Sequence, residues 1–520
     1  MGMTKRGSFT YFGREPITGI GSNSNDRQTS GYGNDILYGN GGFDYLSSGL
    51  GDDTLYGGTG SDELRGGGDY DDLYGEQGID YLFGEEGLDE LYGGDDTDYL
   101  YGGTDADTLG GGYGDDYLYG ESGNDWMHGH DGTDFMDGGD NDDTLYGGYG
   151  NDTLMGGNGN DYLYGRGYAE EFDFYGYDTA LYTQQYANYR LSFTDWGDVQ
   201  VSSNEGTDIL RSIDQLNFAN GGVVKIYNGS DHYGDAIAAD PIYAALMDGG
   251  SGNDTLTGGN GSDTLSGGTS YDNGSDVLNG GSGSDIAAYY NVFTHYAASF
   301  TSDGAVQLSS TEGTDLLRNI ERITFSNGGF YNVYNGDGSN NRLVADPNVW
   351  SLLYGGNSHD TLYGGRYNDT LAGGNANDIL LGGDGNDVLT GGNGNDTLTG
   401  GNGSDQFKFG GAGEVLFNGT NIDTLTDFVV GTDKILLRQG DFAALLSPVG
   451  GNLAATEFAS VLSDAAAGVS SAKIVYNSVT GNLFYNADGA AAGFGGGGQF
   501  ATLTGSPDTL SGSDFVVTAA

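Results

Sequence analysis

Residues 143–164 read DTLYGGYGNDTLMGGNGNDYLY. An aspartate opens each nine-residue unit, at Asp143, Asp152 and Asp161, and a leucine follows two positions later, at Leu145, Leu154 and Leu163. Glycines fill the run before each aspartate. Working outward, the register holds without a slip back through Asp134, Asp125, Asp116, Asp107, Asp98, Asp89, Asp80, Asp71, Asp62, Asp53, Asp44 and Asp35. The apolar partner runs from Leu37 to Leu163, with Met127 and Met136 the only substitutes. Such a period means a solenoid with glycine-rich turns, in which carboxylates of successive coils stack in columns. Stacked carboxylates need cations, and a hard, oxygen-only ligand set points to calcium.

Two further blocks keep the pattern. Asp254, Asp263, Asp276 and Asp285 form a short one, with four extra residues between the middle two. Asp360, Asp369, Asp378, Asp387, Asp396 and Asp405 form another. All these aspartates are candidate metal ligands. The chain carries 75 Asp plus Glu against 17 Lys plus Arg, a formal charge of −58. A compact body with that charge repels itself unless cations neutralise it. The same charge argues against nucleic acid and anionic membrane surfaces as partners. One large apolar side chain per nonapeptide cannot offset the ordering of nine glycine-rich residues, so metal binding has to supply folding free energy. There is no cysteine to staple the fold instead.

The unit GGxGxDxUx, with U a large apolar residue, resembles the nonapeptide calcium-binding repeat of the RTX family. The resemblance implies a parallel β-roll in which two repeats make one coil. Six residues then form a calcium-binding turn and three a short strand. Calcium would lie between turns two repeats apart, held by the aspartates and by turn carbonyls. The residue before each aspartate is usually Asn, Asp or Ser, types that tolerate left-handed backbone. Phe43, Tyr70, Ile79, Leu88 and Ala106 depart from that, which predicts weaker or differently shaped sites there.

Composition divides the chain into a short lead at 1–30, roll blocks at 31–168, 248–285 and 351–409, two β modules at 169–247 and 286–350, and a C-terminal cap with secretion-signal region at 410–520. The modules contain a gapless duplication, 178–229 against 285–336. Alternation at Tyr189, Leu191, Phe193 and at Val199, Val201 predicts half-buried strands. The shared EGTD, Glu205 to Asp208 and Glu312 to Asp315, reads as a turn. After the last roll, Asp423-Thr424-Leu425-Thr426-Asp427-Phe428 and Gly431-Thr432-Asp433-Lys434-Ile435 resemble the segment that follows such rolls in secreted proteases and epimerases. Asp514-Phe515-Val516-Val517 is similar to the terminal motif of type I secretion substrates. Residues 1–21 hold no apolar run of signal-peptide length, and no stretch approaches a transmembrane span. The resemblance thus implies a secreted protein at the cell surface or beyond, exported without cleavage.

None of the histidines, His128, His130, His232, His295 and His359, begins an HExxH, and no nucleophile stands beside a base. His128 and His130 read as surface substitutions in a repeat turn. The expectation is an all-β, calcium-binding, parallel β-roll solenoid in several segments, with interspersed small β modules and a β-rich cap, and without enzymatic activity. Its leading role is extracellular and structural, a surface layer, sheath, fibril or matrix that self-assembles through aromatic faces. The alternative is an adhesin or a binder of extracellular polysaccharide.

Overall fold

The structure is a computed structural model and describes residues 3–166, 176–194, 198–229, 235–268, 274–291, 295–301, 303–311, 313–411, 414–417, 419–489, 491 and 493–519. His232 and Glu312 lie outside the described residues. The chain forms two compact units, one of residues 1–228 with 242–247, the other of 229–241 with 248–520.

In the first unit, successive repeats supply strands alternately to two parallel sheets. One sheet stacks Ile36–Gly41, Thr54–Thr59, Asp72–Gln77, Glu90–Asp95, Thr108–Tyr113, Trp126–Asp131, Thr144–Tyr149 and Tyr162–Tyr164. The other stacks Tyr45–Leu50, Glu63–Gly68, Tyr81–Glu86, Tyr99–Thr104, Tyr117–Ser122, Phe135–Asp140 and Thr153–Asn158. The register is that of two repeats per coil: Leu82 pairs with Leu100, and Leu100 with Leu118. Ahead of the first consensus repeat, Met3–Arg6 and Ile17–Ile20 already pair into the first sheet. The repeat leucines and methionines are fully buried between the sheets, and the residues flanking each one face outward.

The strands are longer than the three residues expected. All of these but Tyr162–Tyr164 span six, because ladder pairing continues through the Gly-Gly-x that follows, as where Glu85 pairs with Gly103, whereas the second block keeps the expected three at Thr255–Thr257, Thr264–Ser266 and Val277–Asn279. Glycine makes this extension possible. Gly58 and Gly60 have φ of 109° and 123°, the left-handed side that side chains avoid. Those positive-φ positions lie four and two residues before the aspartate, and occasional substitutes such as Glu76, Glu85 and Asp96 share the conformation. The residue directly before the aspartate is not among the positive-φ residues, which corrects the expectation of left-handed geometry there. Asn, Asp and Ser recur at that position because they bond along the column, as when the Thr133 N–H donates to Asp115 Oδ1 at 2.8 Å. Phe43, Tyr70, Ile79 and Leu88 are instead exposed, with no backbone strain to bear.

The first duplicated segment continues both sheets and then caps them. Thr179–Tyr182 and Gln215–Phe218 extend one in parallel, and Val223–Asn228 folds back antiparallel. Thr207–Arg211 extends the other, covered by antiparallel Val199–Ser202 and Arg190–Phe193. The second unit repeats this plan around Ile286–Tyr289, Arg322–Phe325 and Thr314–Arg318. It then resumes the roll through Thr370–Asn375, Ile379–Asp384, Val388–Asn393 and Thr397–Asn402. The cap closes over a core containing Phe407, Phe409, Phe442, Tyr476, Phe500 and Phe515. The terminal motif is part of that closure: Phe515–Thr518 pairs in parallel with Lys434–Arg438. Among the described residues no helix is long and apolar enough to cross a membrane.

Candidate metal columns and the aromatic faces

Every expected aspartate ligand is buried, none more than 4% exposed. The roll brings them together as two edges in the first unit. On one, Asp35, Asp53, Asp71, Asp89, Asp107, Asp125, Asp143 and Asp161 stack. On the other stand Asp44, Asp62, Asp80, Asp98, Asp116, Asp134 and Asp152. Each carboxylate uses Oδ1 to accept a backbone N–H one coil earlier, from Ile17 for Asp35 at 2.7 Å and from an aspartate for the rest, at 2.6 Å for Asp53 from Asp35 and 2.8 Å for Asp98 from Asp80. In the second unit Asp276 and Asp285 accept in the same way from Asp254 and Asp263. In the third block Asp378, Asp396, Asp387 and Asp405 accept from Asp360, Asp378, Asp369 and Asp387.

The second oxygen decides what the columns can do. From Asp35 to Asp143, at Asp161, at Asp285 and from Asp360 to Asp405, Oδ2 is buried and takes no hydrogen bond among the described residues. At all of these but Asp35 and Asp53, where Ser30 and Ser48 stand instead, it faces a glycine five residues earlier. A Cβ placed on Gly57 would lie 2.7 Å from Asp62 Oδ2 and 2.8 Å from the carbonyl oxygen of Gly75. The carboxylate oxygen and a carbonyl of the next coil thus converge on the open side of that glycine. Burial, reinforced by neighbouring carboxylates, pushes Asp53 up to about 7, Asp134 to about 8, and Asp71 and Asp98 to about 9. Rows of buried anionic oxygens without donors are costly unless a cation joins them. The donor set is oxygen only, which fits a hard divalent cation of the calcium type. Among the described residues no three carboxylate or imidazole groups converge. An ion here would therefore draw on one or two carboxylates and on turn carbonyls.

The columns also run past the repeats, onto residues that the nine-residue period does not reach. Asp178 Oδ1 accepts from the N–H of Asp152 at 3.0 Å, and Asp214 from that of Asp178 at 2.8 Å. Asp208 accepts from Asp161 at 3.2 Å, and its duplicate Asp315 from Asp276 at 3.0 Å. The EGTD segment is thus a turn only in part, for its aspartate enters a strand and closes a column. Asp423 and Asp433 accept from Asp396 and Asp405, each at 3.0 Å. The gapless duplication was the available signal, since Asp178 aligns with Asp285.

Outside the leucines, aromatic rings stack in ladders. Tyr81, Tyr99 and Tyr117 stack at centroid distances of 4.8 and 4.9 Å, within 5° of parallel, beside a second ladder of Phe83, Tyr101 and Tyr119. On the opposite sheet Tyr38, Tyr56, Tyr74 and Tyr92 do the same. His128 and His130 lie in the strand Trp126–Asp131, not in a turn, with ring centroids 3.7 Å apart, and burial pushes His128 down to about 4. At the corresponding places the third block carries Thr361, Thr370, Ala372, Thr390, Thr397 and Thr399.

The family model for the RTX calcium-binding nonapeptide repeat matches residues 20–167, as overlapping segments, and again 246–273, 354–389 and 381–413. No curated protein matches. Among solved structures, the extracellular lipase LipA from Serratia marcescens matches with 17% identity and a TM-score of 0.20, over 59% of this chain and 44% of the lipase. The chain thus spans less than half the length of that enzyme.

Proposed function

Because the chain carries the RTX calcium-binding nonapeptide repeat through all three blocks and belongs to that family, we propose that it is a secreted structural protein. It folds on calcium outside the cell and then self-assembles as a surface layer, sheath, fibril or matrix, without enzymatic activity. In this reading the column aspartates and turn carbonyls hold the ions. Calcium supplies the charge neutralisation that lets the buried Oδ2 atoms remain ionised.

The observation that carries the assembly is the exposed tyrosine ladder. Tyr81 and Tyr117 are 42% and 38% exposed, large apolar surface that a roll does not require, since the third block forms the same coils with threonines. Wide aromatic surface on a soluble body marks an interface. The ring geometry favours a protein partner over a glycan. Stacked within 5° of parallel, each inner ring has its faces covered by its neighbours and offers solvent its edge and hydroxyl. Sugar stacking needs an open face, whereas edges and hydroxyls spaced at the coil repeat suit a second roll packed alongside.

Replacing Tyr81, Tyr99 and Tyr117 together by threonine tests this. Calcium added to the wild type should raise light scattering in a concentration-dependent way, and the triple variant should fold in calcium without scattering. A variant that assembles like the wild type refutes the ladder as the interface. Scattering that requires an added polysaccharide would favour the alternative, an adhesin or glycan binder.

A further inference from the structure

Where each duplicated module takes over from the nonapeptides, residues outside the repeat reproduce one feature of the roll. In the roll, the buried Oδ2 of an aspartate and a glycine carbonyl of the next coil crowd the open side of a glycine, as Asp80 and Gly93 crowd Gly75. At Gly165 the same two places are taken by Asp178 Oδ2 and the carbonyl of Ser212. At Gly280 they are taken by Asp285 Oδ2 and the carbonyl of Asn319. Ser212 and Asn319 are duplicates of one another, and both hold a left-handed backbone, at φ of 56° and 50°. A non-glycine residue adopts that conformation at a cost. Two residues later stand Asp214 and Glu321, whose carboxylates accept the N–H of Asp178 at 2.8 Å and of Asp285 at 2.6 Å, the bond a repeat aspartate would otherwise make. Asp178 and Asp285 are each 1% exposed, and the Oδ2 of each has no donor among the described residues.

We infer that each module completes a terminal calcium site on its edge of the roll. Asp178, the Ser212 carbonyl and Asp214 form one, and Asp285, the Asn319 carbonyl and Glu321 the other. The inference rests on the calcium reading of the columns and extends it beyond the nonapeptides. Both copies of the duplicated segment place a carbonyl and a carboxylate against an aspartate that is buried and half unsatisfied. A buried carboxylate oxygen with no donor needs a cation, and the surrounding atoms are the oxygen donors calcium takes. The site would tie the fold of the module to the last ion of the column, so that the roll ends where an ion is enclosed and not on an open edge.

The test is a calcium count on the full chain after equilibrium dialysis, for wild type, Asp214→Asn, Glu321→Gln and the double variant. Asn and Gln keep an oxygen to accept the Asp178 or Asp285 N–H and remove the ligand charge. Each single variant should bind one ion fewer and the double variant two fewer, with the far-ultraviolet circular dichroism of the calcium form retained. Asp198→Asn is the control, since that carboxylate bonds Arg211 at 2.7 and 2.6 Å outside the column, and its count should equal the wild type. Unchanged counts in the double variant overturn the inference. So does an equal loss in the control, or a loss of many ions together with β-structure, which would make these carboxylates structural props. A wild type that binds no calcium ends the calcium reading as a whole, whereas a loaded wild type matched by the double variant ends only this inference.

Discussion

Asp98 stands mid-column, fully buried, with Oδ1 accepting the N–H of Asp80 and its own N–H donated to Asp116, both at 2.8 Å. Burial, then the carboxylates of Asp80 and Asp116, push its pKa up to about 9. Without metal, the folded chain holds this group protonated, whereas the unfolded chain ionises it near ~3.9. The fold binds the extra proton between those values, so its metal-free stability is full at low pH and falls as pH rises toward 9. At ~1.4 kcal/mol per pH unit, Asp98 alone costs the metal-free fold about 1.5 kcal/mol at pH 5 and about 4 kcal/mol at pH 7. Asp98→Asn removes that cost and keeps an oxygen for Asp80. Asp98→Ala removes it too but leaves the Asp80 N–H buried without an acceptor, a loss of ~1–3 kcal/mol. Urea unfolding followed by circular dichroism should therefore rank Asn above wild type in chelator at about pH 5, with Ala level or below. In saturating calcium the order should invert to wild type, Asn, Ala, because the charge is then a ligand. An Asn variant no better than wild type in chelator, or no worse in calcium, refutes the account of Asp98 as a carboxyl that ionises in the fold only to bind a cation.

Other outcomes follow from the same geometry. Gly75→Ala puts a Cβ 2.6 Å from both Asp80 Oδ2 and the Gly93 carbonyl; it should lower bound calcium, where Thr54→Ala on the outer face should stay within ~0.5 kcal/mol of wild type. Leu100→Ala, at a fully buried position, should cost ~2–5 kcal/mol in calcium, measured by thermal unfolding, and neighbouring coils should feel it most because each repeat packs only on its neighbours. In chelator, acidification from about pH 9 through 6 should increase β-structure as the raised column carboxyls, Asp71 and Asp107 among them at about 9 and 8, take up protons. A dichroism signal that stays flat or falls across that range contradicts it.

The roll was legible because one constraint repeats in one dimension. Leu82, Leu100 and Leu118 face inward at a spacing of two repeats, and a single slip would turn each to solvent. The strand pairs of the modules were legible from alternation at Leu191, Phe193, Val199 and Val201. The strand length was not, because it depends on glycine φ. Gly58 carries the pairing into what reads as a turn. Nor was the backbone at Phe43 or Leu88, where composition alone suggested a left-handed position that the chain places elsewhere.

What escaped the period altogether was the continuation of the columns. Asp208 meets Asp161 across 47 residues and Asp315 meets Asp276 across 39, where the repeat uses 18. The requirement at a column is positional. The next carboxylate must arrive one coil on, at the Asp place, facing inward, and the chain in between is free to leave and return. An antiparallel excursion such as Arg190–Phe193 and Val199–Ser202 costs the column nothing, provided Thr207–Arg211 re-enters in parallel beside Tyr162–Tyr164. Spacing is therefore a consequence of the coil in the repeats and not the condition for a site. The condition is a re-entering strand with an inward carboxylate, which is why a segment that reads as a bare turn, EGTD, holds the residue that closes the edge.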